Sequence, residues 1–384
     1  MPTIHWAGTG LSAIPGLRRL IENGHTVVVY NRTLAKAHEA LSGLEGRYKA
    51  CEFSLETLRD NAKAGDVLVS MLPGDFHVPL AEIALSNNAH FVSSSYIADP
   101  MRELDAQAKA QNLCLVNEVG LDPGIDHSMA HALVNDYMAS AAFAKDNAHS
   151  FFSYCGGLSK IPNDFCYKFS WAPLGVLKAL MSPSVSVRDG KDFHVSKPWD
   201  AVDNYTVPMP WGAETFEVYP NRDSRPFMAQ YHFGEDWNTQ QFVRGTLRLK
   251  GWTKAWADIF TEVETLEGEA GDKRLAELSN ELWQKNALED GEADRVVLTV
   301  ELKAEKDGEA LWHKSFLMDA FGNDQGTAMA RLVSIPVSLA IEAVLNSEIP
   351  VGVSAAPRQE ALVERWLDTV DSLADHLTLV DHLA

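Results

Sequence analysis

Short apolar runs and amphipathic stretches alternate along the first third of the chain. TIHWA (Thr3–Ala7) reads as a short buried strand, followed by glycines and a helical stretch from about Ala13 to Asn23 that Gly24 stops. TVVVY (Thr26–Tyr30) is β-branched and strand-like, and Leu34–Leu41 is helical. DVLVSML (Asp66–Leu72) is a further buried strand, ended by Pro73 and Gly74. HFVSSS (His90–Ser95), a helix from about Pro100 to Ala110 and LCLVN (Leu113–Asn117) continue the alternation. Strands that alternate with helices must pair in parallel, so the pattern predicts a doubly wound α/β sheet.

From Ser150 the pattern changes. SFFSYCGG, CYKFSW, TFEVYP and VRGTLRLKGW are aromatic-rich segments that read as strands joined by Gly and Pro, which predicts a mixed or antiparallel α+β domain. Trp252 to about Ala287 reads as helical and acidic. RVVLTVELKAE and ALWHKSFLMDA return to strand around a KDGE hairpin turn, Lys306–Glu309. Thr327–Leu345 reads as a long apolar helix. No apolar stretch is counted as long enough to span a membrane.

Composition narrows the partners. A net charge of −20 over 384 residues argues against nucleic acid and anionic membranes. It also makes any cluster of Arg stand out. The four cysteines, Cys51, Cys114, Cys155 and Cys166, form no CxxC pair, and no His/Cys/Glu spacing supports a metal. With a strand-like run beginning at Thr3 and no visible signal peptide, the expectation is a cytoplasmic enzyme.

Candidate chemistry begins at GTGLSA (Gly8–Ala13), which fits G-x-G-x-x-A between the first strand and first helix. Gly8 permits the tight turn, Gly10 lets the backbone approach a pyrophosphate, and Ala13 allows close packing of helix on sheet. An NAD site would place an acid at the end of the second strand. Here Asn31-Arg32-Thr33 stands there, and a guanidinium suits a 2′-phosphate, so the expected cofactor is NADP(H).

NEVGLDPGIDH (Asn117–His127) sits where ligands bind in such sheets, after a strand. Asp122 is held by Pro123-Gly124 and is the expected ligand contact. Asp126 reads as the N-cap of the next helix, and His127 as structural. Ser93, Ser94, Ser95 and Tyr96 follow the preceding strand in the same way.

SSSYIADPMRELDAQAK, NEVGLDPGIDH, SYCGGL, YKFSW, YPNRDS and VRGTLR, in this order, resemble the saccharopine dehydrogenase family, in particular its NADP-dependent, L-glutamate-forming branch. The resemblance implies a Rossmann domain over 1–124 with a C-terminal return over 323–384. It implies a mixed-sheet substrate domain over 125–251 and 292–322, with a helical insertion, 252–291, that is short for the family. The implied reaction reduces the imine of L-glutamate and 2-aminoadipate 6-semialdehyde to saccharopine with NADPH, or runs in reverse. Implied cofactor contacts are Gly8, Thr9, Gly10, Leu11, Ser12, Asn31, Arg32, Thr33, Leu72, Ser94, Ser95, Leu121, Asp122 and Pro123. Implied substrate contacts are Ser95, Tyr96, Asp122, Cys155, Arg222, Thr246, Leu247 and Arg248. A homodimer is left open.

A tricarboxylate substrate on a −20 protein needs concentrated Arg, and Arg222, Arg225, Arg244 and Arg248 supply it. Cys155 reads as a pocket wall, since no adjacent His supports a thiolate nucleophile. Asp122 is the first candidate for proton handling and Tyr96 the second; a water or the substrate amine stays open. Two rivals remain: a carboxyspermidine- or carboxynorspermidine-type dehydrogenase, whose diamine substrate would want acids rather than Arg, and a non-catalytic dinucleotide sensor.

Overall fold

Each apolar run of the first third forms a strand in one parallel sheet. The structure is a computed structural model that describes residues 2–384, and it divides into two units, Met1–Ser128 with Met329–Val370, and Met129–Ala328 with Asp371–Ala384. In chain order the strands are β1 (Thr3–Ala7), β2 (Thr26–Asn31), β3 (Tyr48–Glu52), β4 (Val67–Ser70), β5 (His90–Ser93), β6 (Cys114–Val116), β7 (Ala148–Ser159) and β8 (Ser184–Arg188). They continue as β9 (Lys191–Val195), β10 (Asp203–Met209), β11 (Gly212–Pro220), β12 (Thr239–Leu249), β13 (Asp294–Lys306), β14 (Glu309–Phe321), β15 (Gly352–Ser354) and β16 (His376–Asp381).

The first unit carries the sheet β15-β6-β5-β4-β1-β2-β3, parallel throughout. The strand order reverses between β1 and β4, which is where ligands bind in sheets of this kind. Helix Ile14–Glu22 buries Leu17, Leu20 and Ile21. Its closest approach is at Gly16, where a Cβ would lie 1.9 Å from the Ser334 carbonyl oxygen. The Gly16 N–H donates to Ser334 Oγ at 2.8 Å. Ala13, to which the fingerprint assigns close packing, is buried too, but Gly16 is what lets helix Ala328–Leu345 meet the first helix at backbone distance.

That second helix corrects the sequence reading on one point. By length and composition Ala328–Leu345 could cross a membrane, but 72% of it is buried, with Val337, Ala340, Ile341 and Val344 in the core of the first unit. It is the spine of that core.

The second unit is built on β10-β11-β12-β7-β13-β14-β16, with β8 and β9 joined to β12. Two expectations fail here. Cys166–Trp171 is no strand: Phe169 makes one bridge to Ala287, and Tyr167 and Phe169 instead anchor an aromatic cluster with Trp252 and Trp256. Trp252–Ala287 is helical as expected, in three helices, Trp252–Ala255, Ala257–Val263 and Gly268–Asn286. The C-terminal return is also split. Residues up to Val370 lie in the first unit, whereas β16 pairs with β14 and belongs to the second.

Two buried histidines set an expectation for acid. His77, with Nδ1 2.8 Å from Ser70 Oγ, and His149, with Nε2 2.9 Å from Tyr137 Oη, are both pushed down to about 4 by burial. A depressed folded value means stability is fully present above the ordinary 6.5 and is lost as pH falls through about 4. Thermal unfolding should shift to lower temperature between pH 6.5 and 4, and His149→Phe should flatten that slope. A melting temperature constant over this range would contradict the assignment.

Candidate active site

The cofactor surface lies at the carboxyl ends of β1, β2 and β4. Gly8 has φ of +105°, and a Cβ there would lie 2.7 Å from the Met71 carbonyl oxygen, so the loop after β1 turns against the end of β4 only with glycine. A Cβ on Gly10 would meet nothing within 4 Å, so this backbone faces open space. Thr9 Oγ1 is buried without a hydrogen-bond partner in the protein. At the start of helix Ile14–Glu22, Pro15 has no N–H, and the Ala13 and Gly16 N–H groups donate to the Gly10 carbonyl and to Ser334 Oγ, so the loop before the helix, rather than its first turn, is what a ligand would meet. The loop fits a pyrophosphate. At the end of β2 the Asn31 Nδ2 donates to the Thr33 carbonyl at 2.9 Å and fixes the turn that carries the exposed Arg32. Leu11 is half exposed beside the loop, and Leu72 packs against the core under β4.

The turn after β6 sorts its acids. A Cβ at Gly124 would fall 2.1 Å from the Gly120 oxygen, and the Gly120 N–H donates to the Pro123 carbonyl at 2.9 Å. The turn is thereby closed on itself. Asp126 is not the N-cap expected: it lies inside helix Ile125–Ala139, and its Oδ1 accepts the Gly124 N–H at 2.6 Å. Glu118, not singled out in the sequence, has φ of +56° and is buried. Its Oε1 accepts the Ile97 N–H at 3.0 Å, and its Oε2 lies 3.1 Å from Nε2 of the fully buried His127. These groups hold the turn. Asp122 remains half-buried, and the Tyr96 hydroxyl donates to its Oδ1 at 3.0 Å. Ser93, Ser94 and Ser95 follow β5, with Ser93 Oγ donating to Asn117 Oδ1 at 3.1 Å. The structure thus brings Tyr96 and Asp122 together, as one hydroxyl–carboxylate pair.

The second unit presents the Arg surface. Along β12, Val243, Leu247 and Leu249 enter an apolar cluster, while Arg244, Thr246 and Arg248 face the other side. The Leu247 side chain, expected as a substrate contact, is therefore in the core. Parallel register places Ser153 beside Arg244 and Cys155 beside Thr246, and antiparallel register places Tyr219 beside Thr246. Arg244 lies 4.0 Å over the Phe227 ring. The Arg248 guanidinium sits 5.1 to 5.7 Å from the rings of Tyr167, Tyr219 and Trp252. Arg248 is 5% exposed, its Nη1 donates to the Leu247 carbonyl, its Nε has no partner, and among the described residues it forms no ion pair. A buried cation without a carboxylate is costly, so the surface is built to receive an anion. Arg222 flanks a small cavity with Asn221, Tyr219 and Thr246. Arg222 and Arg225 are both exposed, and Arg225 is bound to Asp223 and Asp192 at 2.7 and 2.6 Å, so its charge is already answered.

The comparisons agree along the whole length. Residues 4–116 match the saccharopine dehydrogenase NADP binding domain, and residues 120–373 its C-terminal domain. A saccharopine dehydrogenase [NADP(+), L-glutamate-forming] of Pyricularia oryzae is 29% identical over 421 residues, covering 89% of this chain and 90% of the relative. The enzyme of the same description from Saccharomyces cerevisiae is 34% identical over 260 residues, with 66% of this chain and 56% of the relative covered. The structure of the apo saccharopine dehydrogenase (L-Glu forming) of Saccharomyces cerevisiae superposes with a TM-score of 0.80 at 25% identity, over 99% of this chain and 100% of that one. A homospermidine synthase of Legionella pneumophila, at 10% identity and a TM-score of 0.66, shares the fold.

Proposed function

The chain belongs to the saccharopine dehydrogenase family, and from that premise we propose that it interconverts saccharopine with L-glutamate and 2-aminoadipate 6-semialdehyde, using NADP(H). It is an oxidoreductase of lysine metabolism acting on a CH–NH bond. When bound, the nicotinamide supplies or accepts the hydride. The chain itself must bind three carboxylates and move a proton at the nitrogen. One observation supports the tricarboxylate reading above the rest: the buried Arg248 guanidinium carries no protein carboxylate. Asp122, oriented by the Tyr96 hydroxyl, is the proposed proton acceptor when saccharopine is oxidised. A diamine-derived substrate would meet guanidinium groups on this face rather than acids, which disfavours the carboxyspermidine-type alternative.

Saccharopine should support NADP reduction by the purified protein, with glutamate and the semialdehyde as products. Release of lysine and 2-oxoglutarate instead would place the cleaved bond on the other side of the nitrogen and overturn the reading.

Cofactor choice has its own test. Arg32→Glu turns a phosphate contact into a repulsion, and a charge-assisted hydrogen bond contributes about 1.5–3 kcal/mol. NADPH should weaken by about tenfold or more while NADH is little affected. Equal losses for both would remove Arg32 from the 2′-phosphate.

A further inference from the structure

The helical insertion begins with a turn that reaches back to the acid facing Arg248. Antiparallel register sets Glu217 of β11 directly opposite Arg248 of β12. Residues placed so share a face of the sheet and stand about 5 Å apart at Cβ. The placement favours an ion pair, but the carboxylate is engaged elsewhere. Glu217 Oε1 accepts the Gly251 N–H at 2.8 Å, and Oε2 accepts both the Thr253 N–H and the Thr253 hydroxyl at 2.7 Å. The two N–H groups belong to the start of helix Trp252–Ala255, where no preceding turn can satisfy them. Between them Trp252 is fully buried. Its ring stacks on Tyr219 at 5.1 Å and lies 5.6 Å from the Arg248 guanidinium. One turn therefore withdraws the acid and supplies an aromatic wall, and Arg248 has no ion pair among the described residues.

We propose that Glu217 and Thr253 are positioning residues: held on this turn, the Glu217 carboxylate is kept off Arg248, and the guanidinium stays open to a substrate carboxylate. The inference rests on the reaction proposed above and names what keeps its anion receptor from being neutralised within the protein. Both residues act through Arg248 and need no contact with the substrate. A carboxylate released from the turn needs only a rotamer change to reach the guanidinium, because the two side chains already share one face. Each charge-assisted bond to the turn opposes that change. Substrate recognition thus depends on how the insertion starts. A start that offered Glu217 fewer donors would leave Arg248 paired inside the protein and lower its affinity for anions.

Thr253→Val removes one of the three donors and almost no bulk. The KM for saccharopine should rise by about tenfold, the scale of one hydrogen bond to a charged group, with kcat and NADPH affinity little changed. Thr253→Ser keeps the hydroxyl and should restore the parent KM. The decisive variant combines Thr253→Val with Glu217→Gln. If the released carboxylate competes for Arg248, removing its charge should bring KM back to within about threefold of the parent. A turn that merely supports the fold predicts the reverse, because an amide is the weaker acceptor: the double variant would melt lower and bind saccharopine no better than Thr253→Val alone. That result, or a parent-like KM in Thr253→Val, would overturn the proposal. If the parent does not oxidise saccharopine, the proposed reaction is what fails, and calorimetry with glutarate as the anion probe decides the positioning role. Glutarate bound by the parent, weakened in Thr253→Val and recovered in the double variant supports it. Glutarate bound equally by all of these proteins, weakened without recovery, or not bound by the parent overturns it.

Discussion

Arg248→Met is expected to abolish most substrate turnover while leaving the protein as stable as before, or more so. The two effects have opposite signs for one reason. In the protein alone, the guanidinium is buried among Tyr167, Tyr219 and Trp252 and has no carboxylate to offset its desolvation. Replacing a buried charge with an apolar chain of similar length is often neutral or stabilising by about 1–4 kcal/mol. With substrate present, the same replacement leaves a carboxylate buried and unpaired, a loss of about 2–5 kcal/mol in binding. Thus kcat/KM for saccharopine should fall by about thirtyfold to several thousandfold, since each 1.4 kcal/mol is tenfold. The melting temperature should hold or rise, and NADPH affinity should stay near normal. A variant that unfolds more easily and retains kcat/KM would make Arg248 a structural cation held by its aromatic neighbours.

Asp122→Asn should lower kcat by about a hundredfold or more. The amide oxygen can still accept the Tyr96 hydroxyl, so the 3.0 Å pair and the turn closed by Gly120 and Gly124 are retained. Only the capacity to hold a proton is removed. Tyr96→Phe removes the orienting donor and keeps the carboxylate, so its defect should be smaller and its pH profile shifted rather than flat. If Asp122→Asn lowers the melting temperature and leaves kcat intact, the carboxylate is part of the turn and not of the chemistry.

The parts of the fold that were legible in the sequence share a physical cause. A parallel strand buried on both faces must be an apolar run, so β1, β2, β4 and β5 stand out directly. β3 did not, because YKACE is exposed at the sheet edge and has no such run. The glycine loop was readable because sterics leave Gly8 no alternative. Asp126 was misplaced by two residues, since a capping acid and an acid just inside a helix look alike in sequence; here the carboxylate reaches back to the Gly124 N–H. CYKFSW alternates like a strand, yet its aromatic side chains pack with Trp252 and Trp256 and its backbone finds a single bridge. At the site, the resemblance singled out Arg222 and Arg248, while charge alone set Arg225 and Arg244 beside them. Register separates them: Arg244 and Arg248 share one face of β12, while Arg225 is satisfied at the surface by Asp223 and Asp192.

The central claim is that this protein reduces an imine made from an amino-acid aldehyde and glutamate. Initial rates of NADPH oxidation test it most directly, with L-glutamate plus 2-aminoadipate 6-semialdehyde in one series and a diamine plus aspartate semialdehyde in the other. Saturable oxidation in the first series and little in the second is the predicted result. Faster oxidation with the diamine pair would contradict the claim and assign the Arg face of β12 to some other anion.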